Sequence, residues 1–281
     1  MVFIRGVTII KLLIMSKKFI TLLTDFGYED HYIAVLKGII YSICPEAFVV
    51  DITHSIPKFN TKVASCILNF AYKYFPRETI HSVTVYPEVG TNMKALIMKT
   101  KNYVFVGPDN GVLSIAAEDD GIEKVYEITN KDYMRDDMSR TFHGRDIFAP
   151  VPAFLACGVK PEDMGVQVYD YHTISMEKSY VKNESITGEI IHVDSYGNVI
   201  MNIGKEQLDS LNVLDGEILE VHVGVIKYEI VFAETFSGIS PGKLGLIIDS
   251  ENLLELCVFT GSAAKMVSAS IGDKIQLKKK S

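Results

Sequence analysis

The sequence predicts a two-domain protein: an N-terminal α/β domain with a mostly parallel sheet, then a small C-terminal β-barrel domain. Three observations carry this prediction. Strand-like apolar runs alternate with helix-periodic segments from Phe19 to about Asp170. Beyond about Asn183, short β-type runs follow one another between glycine-bearing turns. Between the two textures, YDYHTISMEKSYVKNES is polar and aperiodic and reads as a linker. The resulting division is an extension at 1–17, the α/β domain at 18–170, the linker at 171–184 and the barrel at 185–281.

In chain order, FITLLTD is an apolar run ending in a polar turn. HYIAVLKGIIYSIC places Tyr32, Val35, Leu36, Ile39, Ile40 and Ile43 at helical spacing. FVVDIT is the next strand. Val63, Ile67, Phe70, Ala71 and Tyr74 mark the apolar face of a second helix, which Pro76 ends. HSVTVY, ALIMKT and YVFVG are further strands, GVLSIAAED is a short helix, and IFAPVPAFLACG is one longer buried helix closed by Gly158. ITGEIIHV, VIMNI, ILEVHV, IKYEIVF, KLGLIID, LLELCVF and KIQLKK supply the strands of the barrel.

Composition narrows the function classes. The 281 residues are 48% hydrophobic and 22% charged, ordinary for a globular chain. With 28 basic against 35 acidic residues the net charge is −7, which argues against nucleic acid, whose binding rests on lysine and arginine. Cys44, Cys66, Cys157 and Cys257 form neither a zinc pattern nor a disulfide framework, as expected of a reduced cytoplasmic protein. The opening MVFIRGVTIIKLLIM has signal-like polarity, but Lys11 interrupts it and no small-residue cleavage site follows. Translation from Met15, or an extension before it, is therefore expected rather than an anchor, and no membrane association is expected elsewhere. The seven histidines lack metal-ligand spacing, and no Walker loop, GxGxxG or HExxH occurs. Neither a metal nor a cofactor is expected.

Six clusters could carry chemistry. Thr24-Asp25-Phe26-Gly27 ends the first strand, where a carboxylate can accept from both hydroxyls of a ribose, although Asp-Gly is also common turn chemistry. Asp51-Ile52-Thr53-His54 follows another strand and reads best as a hydrogen-bonded turn. Tyr86 heads a Pro/Gly loop and would present a hydroxyl to a crevice, or simply end a strand. Asp109 or Asn110 is a candidate N-cap. Thr141-Phe142-His143-Gly144-Arg145-Asp146 precedes a helix, whose free N–H groups favour an anion or polarised oxygen, with His143 able to handle a proton. Arg145 and Asp146 read as a structural pair or a cap. Asp194-Ser195-Tyr196-Gly197-Asn198 gathers a carboxylate, a ring and an amide in one hairpin, which suits a zwitterion or merely a turn. The residues alone support a two-domain protein that binds a small molecule.

As an ordered set, ITLLTDFGYEDHYIAVLKG, VVDITHSIP, VGPDNGVLS, TFHGRDIFAPVPA, VDSYGN and GSAA resemble the S-adenosylmethionine hydroxide adenosyltransferase family, which also contains the fluorinase and chlorinase. The resemblance runs from about Lys18 to Leu277. It implies a homotrimer with S-adenosylmethionine, as substrate, at the subunit interfaces. It further implies that Asp25 binds the ribose hydroxyls and that Asp194 and Ser250 hold the methionine amino and carboxylate groups. Tyr196 and Asn198 would line the adenine and methionine pocket, with Phe142 and Gly144 flanking the 5′ carbon.

The chain departs from the family hydrolases at one place. Where their DPGVGxxRR loop supplies an Asp and an Arg, this sequence has Tyr86 and Met93, and only His143 of the Asp–Arg–His set remains. Tyr-Pro followed by Gly-Thr instead resembles the halogenases, which lack that histidine. Substitution at a sulfonium carbon needs chiefly alignment, and water additionally needs a base. Losing the Asp and Arg weakens water more than halide, while His143 and the commoner hydrolases of the family favour water. The leading expectation is hydrolysis to adenosine and methionine, with His143 assisting the proton and Tyr86 positioning the water. Halide transfer to a 5′-halo-5′-deoxyadenosine and an inactive binder are the alternatives.

Overall fold

A computed structural model describes residues 18–86, 91–175 and 177–280. The extension, including the reading of Met15 as the start, and Pro87 to Gly90 lie outside them. The chain divides into two compact units between Ile174 and Ser175.

The first unit is built on seven strands: β1 (Phe19–Thr24), β2 (Phe48–Thr53), β3 (Ile80–Thr84), β4 (Ala95–Thr100), β5 (Val104–Pro108), β6 (Ile122–Ile128) and β7 (Gly165–Val168). Their order is β2-β1-β3-β5-β4-β6-β7. The first four are parallel, and β4, β6 and β7 extend the sheet in antiparallel fashion. β1 lies between two parallel neighbours and is buried on both faces, which is why FITLLT is an unbroken apolar run rather than an alternating one. IEKVYEI, which forms β6, mixes charges into its run and gave no strand signal in the sequence.

Helices α1 (Tyr32–Ile43), α2 (Thr61–Ala71), α3 (Ser114–Asp120) and α4 (Pro150–Ala156) accompany this sheet. α1 buries Ile33, Leu36 and Ile40, while Tyr32 is exposed. On α2 the expected face is displaced: Val63, Ala64, Cys66 and Leu68 are buried, and Tyr74 is 70% exposed. Tyr74 lies beyond the end of α2, in a 3-10 turn over Tyr72–Tyr74 that takes it off the helical period. Asn60 caps α2 by accepting from the Val63 N–H at 3.0 Å. IFAPVPAFLACG is not one helix. A π-helical turn spans Gly144–Phe148, and α4 starts afresh at Pro150, whose missing N–H is harmless only in a first turn.

The second unit is a barrel. Its strands are β8 (Tyr180–Lys182), β9 (Ser185–Val193), β10 (Val199–Gly204), β11 (Ile218–Val223), β12 (Ile226–Phe232), β13 (Leu244–Ile248), β14 (Leu253–Val258) and β15 (Lys274–Lys279). Seven of them run β10-β14-β13-β12-β11-β15-β9, and pairing of β9 with β10 closes the ring; β8 adds to the outside of β9. Leu219, Val221 and Val223 point into the core while Glu220 and His222 alternate outward, the period-two pattern visible in ILEVHV. β8 falls within the stretch expected to be linker.

Candidate active site

β1 and β3 are parallel neighbours in register from Ile20↔Ile80 to Thr24↔Thr84. The chain leaves β1 on one side to make β2 and returns on the other to make β3. Such a reversal opens a crevice beyond the carboxyl ends of the two strands. Asp25 follows β1 directly, and Val85 and Tyr86 follow β3. A cavity of about 400 Å³ lies there, lined by Asp25, Phe26, Asp30, Tyr32, Lys58, Phe59, Thr84, Tyr86, Thr141, Phe142, His143 and Gly144. The predicted residues Asp25, Tyr86, Phe142, His143 and Gly144 therefore meet in one place.

Asp25 is buried, and its Oδ2 accepts from the Phe59 N–H at 2.8 Å. Lys58 Nζ donates to the Asp25 carbonyl. Among the described residues Oδ1 receives no donor, so this edge of the carboxylate remains for a ligand. Phe26, Tyr32 and Phe142 form an edge-to-face cluster with centroids 5.2 to 5.8 Å apart. A Cβ on Gly144 would sit 3.1 Å from Phe26 Cζ and 3.2 Å from Phe142 Cε2, so glycine keeps this aromatic wall and the backbone close together. Arg145 and Asp146 are the expected structural pair: Nε and Nη2 donate at 2.7 and 3.1 Å to a fully buried carboxylate that also accepts from the Ser139 N–H. The anion site expected at this helix start is not available from Arg145 and Asp146, because both of their N–H groups turn back onto the Phe142 carbonyl.

The rings of Tyr86 and His143 lie 5.6 Å apart at 34°. The Tyr86 hydroxyl donates to the Met93 carbonyl at 3.3 Å, so toward a ligand that oxygen acts as an acceptor. Tyr86 and His143 also line a neighbouring cavity of about 390 Å³, and Met93 is on its wall. Tyr86, Met93 and His143 thus line one cavity.

The remaining predicted residues belong to the barrel unit. Asp194 Oδ1 accepts from the N–H groups of Tyr196 and Asn198 at 2.9 and 2.8 Å, and Oδ2 from Asn198 Nδ2 at 3.0 Å. Gly197, at φ +85°, makes the turn possible. Tyr196 is 80% exposed, and Ser250 is exposed in the turn between β13 and β14. Asn198 keeps its side-chain Oδ1 and a second Nδ2 hydrogen uncommitted to Asp194. Close by in charge, Glu255 is buried with Oε1 lacking a hydrogen bond; burial, then Asp194 and Asp249, push its carboxyl up to about 7.

The residues from 20 to 165 match the SAM hydroxide adenosyltransferase N-terminal domain, and 188 to 276 match the C-terminal domain. The chain belongs to the SAM hydroxide adenosyltransferase family. It is similar to an (R)-S-adenosyl-L-methionine hydrolase of Salinispora arenicola, with 33% identity over 93% of this chain and 98% of that one. A fluorinase of Nocardia brasiliensis is 24% identical over 92% of this chain and 96% of its own. Among solved structures, an uncharacterized conserved protein from Thermotoga maritima superposes with a TM-score of 0.89 at 39% identity, covering 92% of this chain and all of that one.

Within this family frame the sequence reading missed several cavity residues. Lys58 and Phe59 follow the His54 turn, and Phe59 is 67% exposed with φ +65°, a backbone state unusual for an aromatic residue. An aromatic residue just after Pro57 was the available signal. Tyr32 was assigned to helix packing and instead lines the cavity. Neither Asp109 nor Asn110 caps α3: Asp109 accepts from the His172 N–H at 2.7 Å, and Asn110 Nδ2 donates to the Val85 carbonyl at 3.0 Å. Asn110 thereby ties β5 to the strand end that carries Tyr86.

Proposed function

We propose that this protein is an enzyme that cleaves S-adenosyl-L-methionine at the 5′ carbon with water, giving adenosine and L-methionine. One observation carries the reading: a carboxylate edge, an aromatic wall with a bare glycine backbone and an imidazole converge in one cavity, in a family member 33% identical to an (R)-S-adenosyl-L-methionine hydrolase. Asp25 Oδ1 accepts from the ribose hydroxyls, and Phe142 and Gly144 flank the 5′ carbon. The water oxygen bonds to that carbon while the carbon–sulfur bond breaks with its electron pair passing to sulfur. His143 takes the water proton, and the Tyr86 oxygen accepts from the water's other hydrogen. The sulfonium leaves as a neutral thioether, so the protein supplies alignment and a base, and S-adenosylmethionine is a substrate with no further cofactor. Asp194, Tyr196, Asn198 and Ser250 hold the methionine and adenine ends in a homotrimer that places sites at subunit interfaces, in the cytoplasm.

Tyr86, in the place of a carboxylate, favours a second reading in which a halide attacks, since an anion is repelled by a carboxylate and tolerated by a phenol. Incubation with S-adenosylmethionine, with and without chloride or bromide, separates the two by the mass of the nucleoside. Adenosine in every tube supports hydrolysis. A halogenated nucleoside supports the second reading, and intact substrate overturns both.

A further inference from the structure

His54 is fully buried, yet it does not line the cavity. Its ring Nδ1 is 2.8 Å from Thr24 Oγ1, the last residue of β1, and its carbonyl accepts from the Gly27 N–H at 2.8 Å. Asp25 and Phe26 lie between those two anchors. Thr24 Oγ1 also accepts from the Phe26 N–H at 3.2 Å. The hydroxyl thus joins the imidazole to the main chain of the turn, since it has lone pairs for the Phe26 N–H and a further bond to Nδ1. Nε2 faces Asp51 Oδ1 at 3.1 Å, out of line for a hydrogen bond, while Lys37 Nζ binds Asp51 Oδ2 at 2.6 Å. The Tyr28 ring closes over the imidazole edge-on at 5.0 Å.

We propose that His54 is a positioning residue for substrate: it grips the turn from Thr24 to Gly27 at both ends, so that Asp25 presents Oδ1 to the vicinal diol of a nucleoside. This rests on the reading of Asp25 as the ribose acceptor. Burying an imidazole costs free energy that a leucine of similar size avoids, so packing alone does not account for it. The ring bond to Thr24 does, while the hold on Gly27 is made by the main-chain carbonyl. Burial, opposed by Asp51, lowers the His54 pKa, which favours the neutral imidazole.

The test compares dissociation constants of the full chain for adenosine and 2′,3′-dideoxyadenosine. His54→Leu is expected to weaken adenosine about tenfold or more, as charge-assisted bonds go out of line. It should change dideoxyadenosine by less than about threefold, so that discrimination collapses. His54→Asn, whose amide can accept from or donate to Thr24 in place of Nδ1, should restore most of the discrimination. Equal losses for both nucleosides, or unchanged discrimination, overturn the proposal. Should the leucine variant fail to fold, Thr24→Val removes the same bond from the other side, and the same two results decide. Asp25→Ala separates the layers. If it leaves discrimination intact, the ribose reading fails; if it abolishes discrimination while His54→Leu does not, only the role of His54 fails.

Discussion

His143 and Tyr86 form the narrowest point of the account, because their rings stand side by side where a base and a water acceptor are required. If His143 takes the proton, His143→Ala should lower adenosine formation by about 10² or more, the usual contribution of a general base, with nucleoside affinity preserved. Single-turnover kinetics beside a binding titration checks this. Tyr86→Asp with Met93→Arg should raise hydrolysis, since both positions line a cavity with His143 and the pair would supply a carboxylate and a guanidinium there. Were halide the nucleophile, the same double change would suppress transfer by setting a negative charge against the anion. These residues were legible because TFHGRD and the Tyr-Pro loop are distinctive in sequence. Lys58 and Phe59 were not, since they reach the cavity only through the course of the loop after His54.

At the scale of elements, the order of strands places the site: parallel β1 and β3 deliver Asp25 and Tyr86 to one edge. That alternation could be read from the sequence, as could all seven strands of the barrel ring. The break between the π-helical turn and α4 could not, because PVPAFLA is apolar throughout and periodicity does not register a restart. β7 offers a sharp check on the antiparallel edge. Gly165 has extended backbone, and a Cβ there would collide with the Glu127 carbonyl oxygen of β6. Gly165→Ala should therefore cost about 1–3 kcal/mol, as overpacking does, and appear as a lower urea midpoint. β14 carries a pH-dependent element in Glu255, whose folded carboxyl stands at about 7 against an ordinary 4.5. A raised acid favours folding in its protonated form, so its contribution is complete below pH 4.5 and disappears as pH rises through 7. Glu255→Gln, which cannot ionise, should melt at a higher temperature than the parent at pH 8, and that advantage should vanish by pH 4.5. An equal difference at both pH values would remove Glu255 as the cause.

For the whole molecule, the proposed homotrimer has its substrate sites at subunit interfaces. The carboxylate, the aromatic wall and the imidazole come from the α/β unit, and the Asp194 hairpin and Ser250 turn come from the barrel. A trimer with shared sites predicts a solution mass near three times 31.3 kDa by light scattering, and loss of substrate affinity on dissociation. A monomer with full affinity would leave the Asp194 hairpin without its proposed role. The central claim is that water attacks the 5′ carbon, and labelled water tests it most directly. In ¹⁸O-enriched water, S-adenosylmethionine should give adenosine carrying one heavy oxygen at the 5′ position, alongside unlabelled methionine. Unlabelled adenosine, or a 5′-halogenated nucleoside formed only when halide is present, would contradict it.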